Sequence, residues 1–425
     1  MSESVASGVP RARRWDEQRW VVDNVIKAVG IEWDQARISY TLGPCGTEAA
    51  GDFAGVRARA RRFSDISRAF EKAAARRERM ARAFEAGRAF VSARDSWFIA
   101  ALLYGGAQWP IFENNARNVR LDDAKTACYQ AYVRHADRVI HEVSIPFRDT
   151  TLPAYLHMPP GVPAGTPVPA VLGISGMDSF KEMRCALYGD KLLQRGFAVL
   201  AIDGPGQGTA LVRRGIRVTE DAFADVGRAA VAWLRGHPDV DGDRIAVFGA
   251  SFGSFWATQV AAAVPDLAAC AVAFVCHEPG LRTLFETASP TFKVRFMYMA
   301  GFSDEEEFDR WAAKLDVLPL AERVTAPYLA IAGEDDELSP VEHTYRLLDA
   351  MQTPKQMLVY EGESHGLHTG TSSSLGPHAG TYVADWLRAR VDGVPMDSEH
   401  SFVDLAGTVQ TRPWSAELVD EASER

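Results

Sequence analysis

Two rhythms divide the chain. Up to about residue 140, apolar residues recur at three- and four-residue steps. Phe63, Ile66, Phe70, Ala73, Met80, Phe84, Gly87 and Val91 form one stripe, with arginines on the faces between them. A period near 3.6 marks an amphipathic helix that buries one face. The pattern predicts one long helix over this span, a second over 95–112 with Pro110 near its end, and a third from Arg120. From about residue 141 the rhythm shortens. Runs at 141–147 and 152–158 flank Arg148-Asp149-Thr150 and read as an antiparallel pair. Six nearly continuous apolar runs follow, at 168–175, 197–203, 244–250, 270–276, 327–333 and 356–362. With helix-patterned segments between most of them, these predict buried parallel strands. Residues 221–238 form one crossover helix, stopped at Gly236 and Pro238. The predicted fold class is α/β, a mostly parallel twisted sheet with helices on both faces. A helical N-terminal domain occupies 1–140 and the α/β core 141–391. Segment 280–320 is longer than a crossover needs and reads as an inserted pair of helices, a lid. Residues 392–425 read as an acidic C-terminal tail.

Composition narrows the class. The 425 residues are 47% hydrophobic and 24% charged, ordinary for a globular protein. No run of 18 apolar residues occurs, so no membrane span is expected. The N-terminus lacks the apolar core of a secretory signal. The five cysteines are odd in number and form no C-x-x-C pair. Reduced thiols in a cytoplasmic protein are therefore expected, without a disulfide framework or a metal site. A net charge of −10 disfavours nucleic acid as a partner. Residues 52–94 run the other way, with 12 Lys and Arg against 5 Asp and Glu, and read as the solvated face of a helix.

The candidate chemistry centres on "VFGASFGSFWA", 247–257. Gly249, Ser251 and Gly253 fit G-x-S-x-G, a strand-to-helix turn so tight that side chains at the flanking positions would collide. A strand pattern precedes Ser251 and an alanine-rich helix pattern follows. The acid is expected after a later strand, and "GEDDELSP" offers Asp336, with Asp335 as the alternative. "GESHGLH" then offers His365, with His368 as the alternative. The order Ser, Asp, His is that of a nucleophile, an orienting acid and a general base. A neutral serine is a poor nucleophile and needs a base within hydrogen-bond reach. The oxyanion donors are expected to be the backbone N–H groups of Phe252 and of Met177, the latter in the loop "ISGMDSFKE". "DGPGQG", 203–208, lacks the spacing of a phosphate loop and reads as a tight strand-to-helix turn. His277 and Glu278 end a strand at the sheet edge that faces ligand, so they are candidate substrate contacts. Trp97, Tyr104 and Trp109 of the helical segment are candidates too.

Taken together, "GISGMDSFKE", "DGPGQG", "GASFGS", "GEDDELSP" and "GESHG" resemble an α/β-hydrolase subfamily. It is the subfamily of 2,6-dihydroxypseudooxynicotine hydrolase, the fungal polyketide-shortening hydrolases and the FrsA-like proteins. The resemblance spans about 15–390. It implies an N-terminal helical cap over the active site, a homodimer, and hydrolysis of a carbon–carbon bond next to a ketone, or of an ester. The substrate would be a β-diketone-like or acyl-aromatic small molecule, and no metal or organic cofactor would be needed. One position departs: Thr209 follows "DGPGQG" where an acid is expected. Carboxylesterase or thioesterase action, acyl transfer to an alcohol, and noncatalytic binding on the same fold are the competing functions.

Overall fold

Every one of the eight apolar runs becomes a strand in the computed structural model, which describes residues 10–34, 41–367 and 370–424. β1 (Ile140–Phe147) and β2 (Thr150–His157) form the antiparallel hairpin. β3 (Val168–Ile174), β4 (Ala198–Ile202), β5 (Val240–Ala250), β6 (Ala269–Ala273), β7 (Tyr328–Gly333) and β8 (Lys355–Tyr360) are parallel to one another. The order across the ten-stranded sheet is β1-β2-β4-β3-β5-β6-β7-β8-β9-β10, where the last two strands lie in the C-terminal segment. The chain passes from β3 outward to β4, then returns across β3 to β5. This reversal opens a crevice beyond the carboxyl ends of β3 and β5, where open α/β sheets place ligands.

β3, β4, β6 and β7 are buried along their whole length, which is why they read as continuous apolar runs rather than alternating ones. Successive residues still part to opposite faces. Leu172, Leu200, Val247 and Val272 join the core beneath Phe223 and Trp256. Val171, Val199, Ala246 and Ala271 face Val383 and Leu387 on the other side. This is the α/β-hydrolase fold with a helical region ahead of the sheet.

That region contains α1 (Arg13–Val29), α2 (Ala50–Arg59), α3 (Phe63–Ala86), α4 (Phe90–Gln108) and α5 (Ala116–Arg134). The long stripe is two helices rather than one. Gly87 ends α3, Arg88 takes a left-handed φ of 61°, and Val91 lies in the first turn of a new helix with its side chain in solvent. Met80 is exposed as well, and the buried face continues through Ala74, Arg77 and Ala81. The basic run is therefore not wholly a solvated face: Arg77 is buried against Asp52 and pairs with Glu48 at 2.8 Å.

α6 (Ala222–Arg235) is the expected crossover, and α7 (Phe252–Ala263) follows the serine. The insertion after β6 contains α8 (Pro290–Ala300) and α9 (Glu305–Ala312), held together by buried Lys293, which reaches Glu286, Glu305 and Asp309 at 2.7–2.8 Å. α1 docks on this insertion through Arg14, which donates to the Thr287 carbonyl at 2.9 Å. The segment after 392, expected as a tail, instead extends the sheet. β9 (Glu399–Val403) lies parallel to β8, and β10 (Val409–Pro413) turns back beside it. The free edge of β8 explains this, because main-chain pairing asks little of side-chain composition. β10 is exposed at every residue and so carries no apolar signature.

Candidate active site

β5 and α7 meet at a single residue. Ser251 stands between them at φ 56°, ψ −133°, a sparsely populated region for any residue but glycine. A side chain at Gly249 would put its Cβ 2.1 Å from the Gly253 carbonyl oxygen, and one at Gly253 would meet the Ile174 carbonyl at 2.7 Å. The turn exists because both flanking positions are glycine. It lifts Ser251 into the crevice, half-buried.

The loops after β7 and β8 close on it. His365 Nε2 lies 2.9 Å from Ser251 Oγ, and His365 Nδ1 lies 2.8 Å from Asp336 Oδ2. Asp336 is fixed from its own loop, accepting from the Leu338 and Ser339 N–H groups at 2.9 and 3.0 Å. Asp335 points to solvent while its N–H donates to the Glu363 carbonyl. The structure thus brings together Ser251, His365 and Asp336, and leaves Asp335 out. His368 lies outside the described residues. Burial pulls the His365 pKa down, but the charge and hydrogen bond of Asp336, with the charge of Glu337, outweigh it and leave the imidazole above its ordinary value. Glu337 also accepts the His365 backbone N–H at 2.9 Å. Sequence reasoning passed over Glu337, although it is the next letter of "GEDDELSP".

Met177, in the loop after β3, and Phe252, the first residue of α7, flank the serine. A Cβ on Gly176 would lie 3.2 Å from Ser251 Cβ and 3.6 Å from the Phe252 nitrogen, so the loop after β3 lies directly on the elbow. Gln207 holds that loop from behind, donating from Nε2 to the Ser175 and Gly176 carbonyls at 2.8 and 2.9 Å and accepting the Gly204 N–H. A trans peptide points its N–H opposite to its carbonyl. With the Gly176 carbonyl turned to Gln207, the Met177 N–H points away from Gln207. The last glycine of "DGPGQG" belongs to the same construction. Gly208 allows the turn to fold over Asp203, whose carboxylate would stand 2.3 Å from a Cβ there.

Asp203 anchors a buried ionic network. Lys181 Nζ reaches Glu182 at 2.6 Å, Asp203 at 3.2 Å and Thr209 Oγ1 at 3.0 Å. Lys125 of α5 lies 2.9 Å from Asp122 and 3.5 Å from Glu182. Thr209 Oγ1 in turn donates to Asp122 at 3.4 Å. The carboxylate expected at position 209 is supplied by α5 instead, which ties the helical region to the sheet.

The other candidates divide. His277 is buried, its Nδ1 3.0 Å from Thr344 Oγ1, and burial pushes its pKa down to about 3. Glu278 accepts the Thr283 N–H and hydroxyl at 2.8 and 3.1 Å and so caps the next turn. Both engage internal partners. Trp97 lies inside the helical layer under Arg82, and the Tyr104 hydroxyl donates to Glu78 at 2.7 Å. Trp109 is different. Its Nε1 donates to Asp178 at 3.2 Å, and Asp178 lines the nook that holds Ser251, with Met177, Arg184 and Leu187. Asp178 and Trp109 also border a small cavity of about 30 Å³ walled by Ile66, Phe70 and Phe180. One group of metal-ligating type occurs among the described residues: His141, His237 and Asp239, with ligand atoms within 4.8 Å of one another. It lies on β1 and the loop before β5, away from the serine. No helix among the described residues is long and apolar enough to cross a membrane.

Comparison with known proteins places these features in a lineage. Residues 80–371, more than half the chain, match the sequence family described as FrsA-like esterases. The chain is 33% identical over 189 residues to the α/β hydrolase xenA of Xenoacremonium sinensis, covering 42% of this chain and 44% of that one. It is 28% identical over 264 residues to esterase FrsA of Yersinia pestis, covering 59% and 61%. The matched regions thus span less than two thirds of these relatives. Among solved structures, 2,6-dihydroxy-pseudo-oxynicotine hydrolase superposes with a TM-score of 0.70 at 24% identity, over 83% of this chain and 96% of that one, a likeness of fold.

Proposed function

From the chain's membership of the FrsA-like family within the α/β-hydrolase superfamily, we propose that it is a serine hydrolase acting on a small carbonyl compound. The observation that carries this reading is the continuous relay from Asp336 through His365 to Ser251 at a strained elbow. Ser251 Oγ would attack the substrate carbonyl as His365 Nε2 takes its proton. The Phe252 and Met177 N–H groups would receive the oxyanion. Collapse of the tetrahedral adduct breaks the bond to the leaving group, and the His365 cation returns the proton to it. Water, deprotonated by the same histidine, then releases the acyl group and restores Ser251.

We place the cleaved bond next to a ketone. The leaving carbon departs as an enolate or as an electron-rich ring carbon, and it takes its proton from the imidazolium. The substrate class is β-diketone-like or acyl-aromatic. Ester hydrolysis by the same residues is the second reading, and the esterase description of the family favours it. The cytoplasmic setting is part of the proposal, supported by five cysteines that are all buried as free thiols.

Two measurements test it. A fluorophosphonate probe should label wild-type protein at Ser251, and the label should be absent from Ser251→Ala. A panel of aryl 1,3-diketones and matched aryl esters, with products identified by mass, should yield the carboxylic acid and ketone from the diketones. Esters turned over with the diketones left intact would select the second reading. No labelling and no turnover would remove both.

A further inference from the structure

Apart from the serine, His141, His237 and Asp239 come together from distant parts of the chain. His141 lies on β1, opposite Leu156 of β2. His237 and Asp239 flank Pro238 in the loop between α6 and β5. The two imidazoles stand 5.6 Å apart between ring centroids, and one ligand atom from each of the three side chains lies within 4.8 Å of the others.

The loop is held in place by its backbone. The Asp239 carbonyl accepts the Val168 N–H at 3.1 Å, and the His237 carbonyl accepts the Val240 N–H at 3.1 Å. One oxygen of the Asp239 carboxylate accepts the Gly165 N–H, which fixes the direction of the other. Pro238 keeps a fixed φ between the two ligands. Trp233 of α6 lies against the His237 ring, 5.3 Å between centroids. No side chain among the described residues hydrogen-bonds to either ring. Groups already held in position lose little freedom when they capture an ion, which raises affinity.

The donors restrict the ion. Two imidazoles and one carboxylate suit zinc, whereas calcium and magnesium take oxygen ligands. Imidazole is neutral near pH 7.5, above its ordinary pKa of about 6.5, so both rings can offer a lone pair. Zinc bonds of about 2.0–2.2 Å place tetrahedral ligands roughly 3.5 Å apart, so the three side chains must close by about 1 Å. His141 can turn about its own side-chain bonds to do so. Coordination has one identifiable cost. The Asp239 N–H donates to His237 Nδ1 at 3.2 Å. A metal on Nδ1 takes that lone pair, and a metal on Nε2 requires the proton on Nδ1. Either way one long hydrogen bond is exchanged for a metal bond, and water can accept the freed N–H. Water also fills the fourth position on the ion.

We infer that His141, His237 and Asp239 form a zinc site that ties strand β1 to the loop before β5. An ion that binds the folded chain and not the unfolded one raises thermal stability.

Full-length protein stripped with EDTA and exchanged into chelator-free buffer at pH 7.5 tests it. Titration calorimetry with zinc chloride should give one ion per chain, with affinity at least about 10-fold lower in His141→Ala and in Asp239→Asn. His141→Ala touches none of the loop's backbone contacts, and Asp239→Asn keeps an acceptor for the Gly165 N–H. The variant that melts like metal-free wild type decides. Wild-type protein gives a second readout that needs no substitution: zinc should protect His141 and His237 from diethyl pyrocarbonate, read by peptide mass. Saturating zinc should also raise the wild-type Tm by at least about 1 °C. No zinc uptake, uptake that the substitutions leave intact, equal uptake of calcium or magnesium, unprotected histidines, or an unmoved wild-type melt overturns the inference.

Discussion

Three side chains from three loops meet at hydrogen-bond distance, and each has a measurable consequence. Ser251→Ala should lower kcat by at least about 10³-fold while the protein folds normally, since it removes the nucleophile and leaves the scaffold. Turnover near wild type would exclude the covalent route. Asp336→Asn should cost far more activity than Asp335→Asn, because only Asp336 reaches the imidazole. The pH profile follows from His365. Its pKa is raised in the fold, so the neutral base is lost as pH falls through a value above the ordinary histidine pKa of about 6.5. The acidic limb of kcat/KM should therefore lie above that value. Glu337→Gln removes one of the charges that raise it while keeping a hydrogen-bond acceptor for the His365 N–H, so the limb should move to lower pH. An unmoved limb would show that Asp336 alone sets the histidine. The three residues of the relay were legible because each sits at a spacing that chemistry requires. Glu337 was not, because it acts through its charge and a contact to the His365 backbone N–H, neither of which a spacing encodes.

Elements set how these residues face one another. Gln207 of the turn after β4 holds both carbonyls of the loop after β3, and so the direction of the Met177 N–H. Gln207→Ala should lower kcat by about 10- to 100-fold with a smaller change in KM, less than the full loss of an oxyanion donor. An equal rise in KM with kcat intact would assign Gln207 to substrate binding instead. The parallel strands were legible for the same reason that they are stable: burial on both faces demands continuous apolar runs. The break at Gly87 was hidden, because the apolar rhythm crosses it. β9 and β10 were hidden because backbone pairing forms them, β9 to β8 and β10 to β9. His277 and Glu278 were legible as a position at the ligand edge of the sheet, but Thr344 engages His277 Nδ1 and Thr283 engages the Glu278 carboxylate.

The relation between the helical region and the sheet is a property of the whole chain. Tyr129 of α5 lies against Tyr155 of β2 at 4.6 Å between ring centroids. Lys125 meets Glu182 across the junction, and Asn114 Nδ2 donates to the Leu211 carbonyl at 2.9 Å. Trp109 reaches Asp178 beside the serine. α1 continues the contact onto the insertion that contains α8 and α9. Loss of residues 1–135 would expose Tyr155 and Phe180, each buried now, and leave Glu182 without one of its two cations. Burying one large apolar side chain is worth about 1.5–3 kcal/mol, and a domain's net stability is only about 5–15 kcal/mol, so a few such exposures are enough to unfold it. The same loss would open the serine's nook to water, which weakens hydrogen bonds to a developing oxyanion. Deletion of 1–135 should therefore give protein that is insoluble, or soluble and inactive. Trp109→Ala is the milder counterpart and should raise KM, because Trp109 borders the cavities on both sides of Asp178. Soluble yield, and kcat/KM on whichever diketone or ester the panel identifies, read both effects. A soluble truncation with unchanged kcat/KM would make the helices an accessory domain and place substrate selection within the sheet and its loops alone.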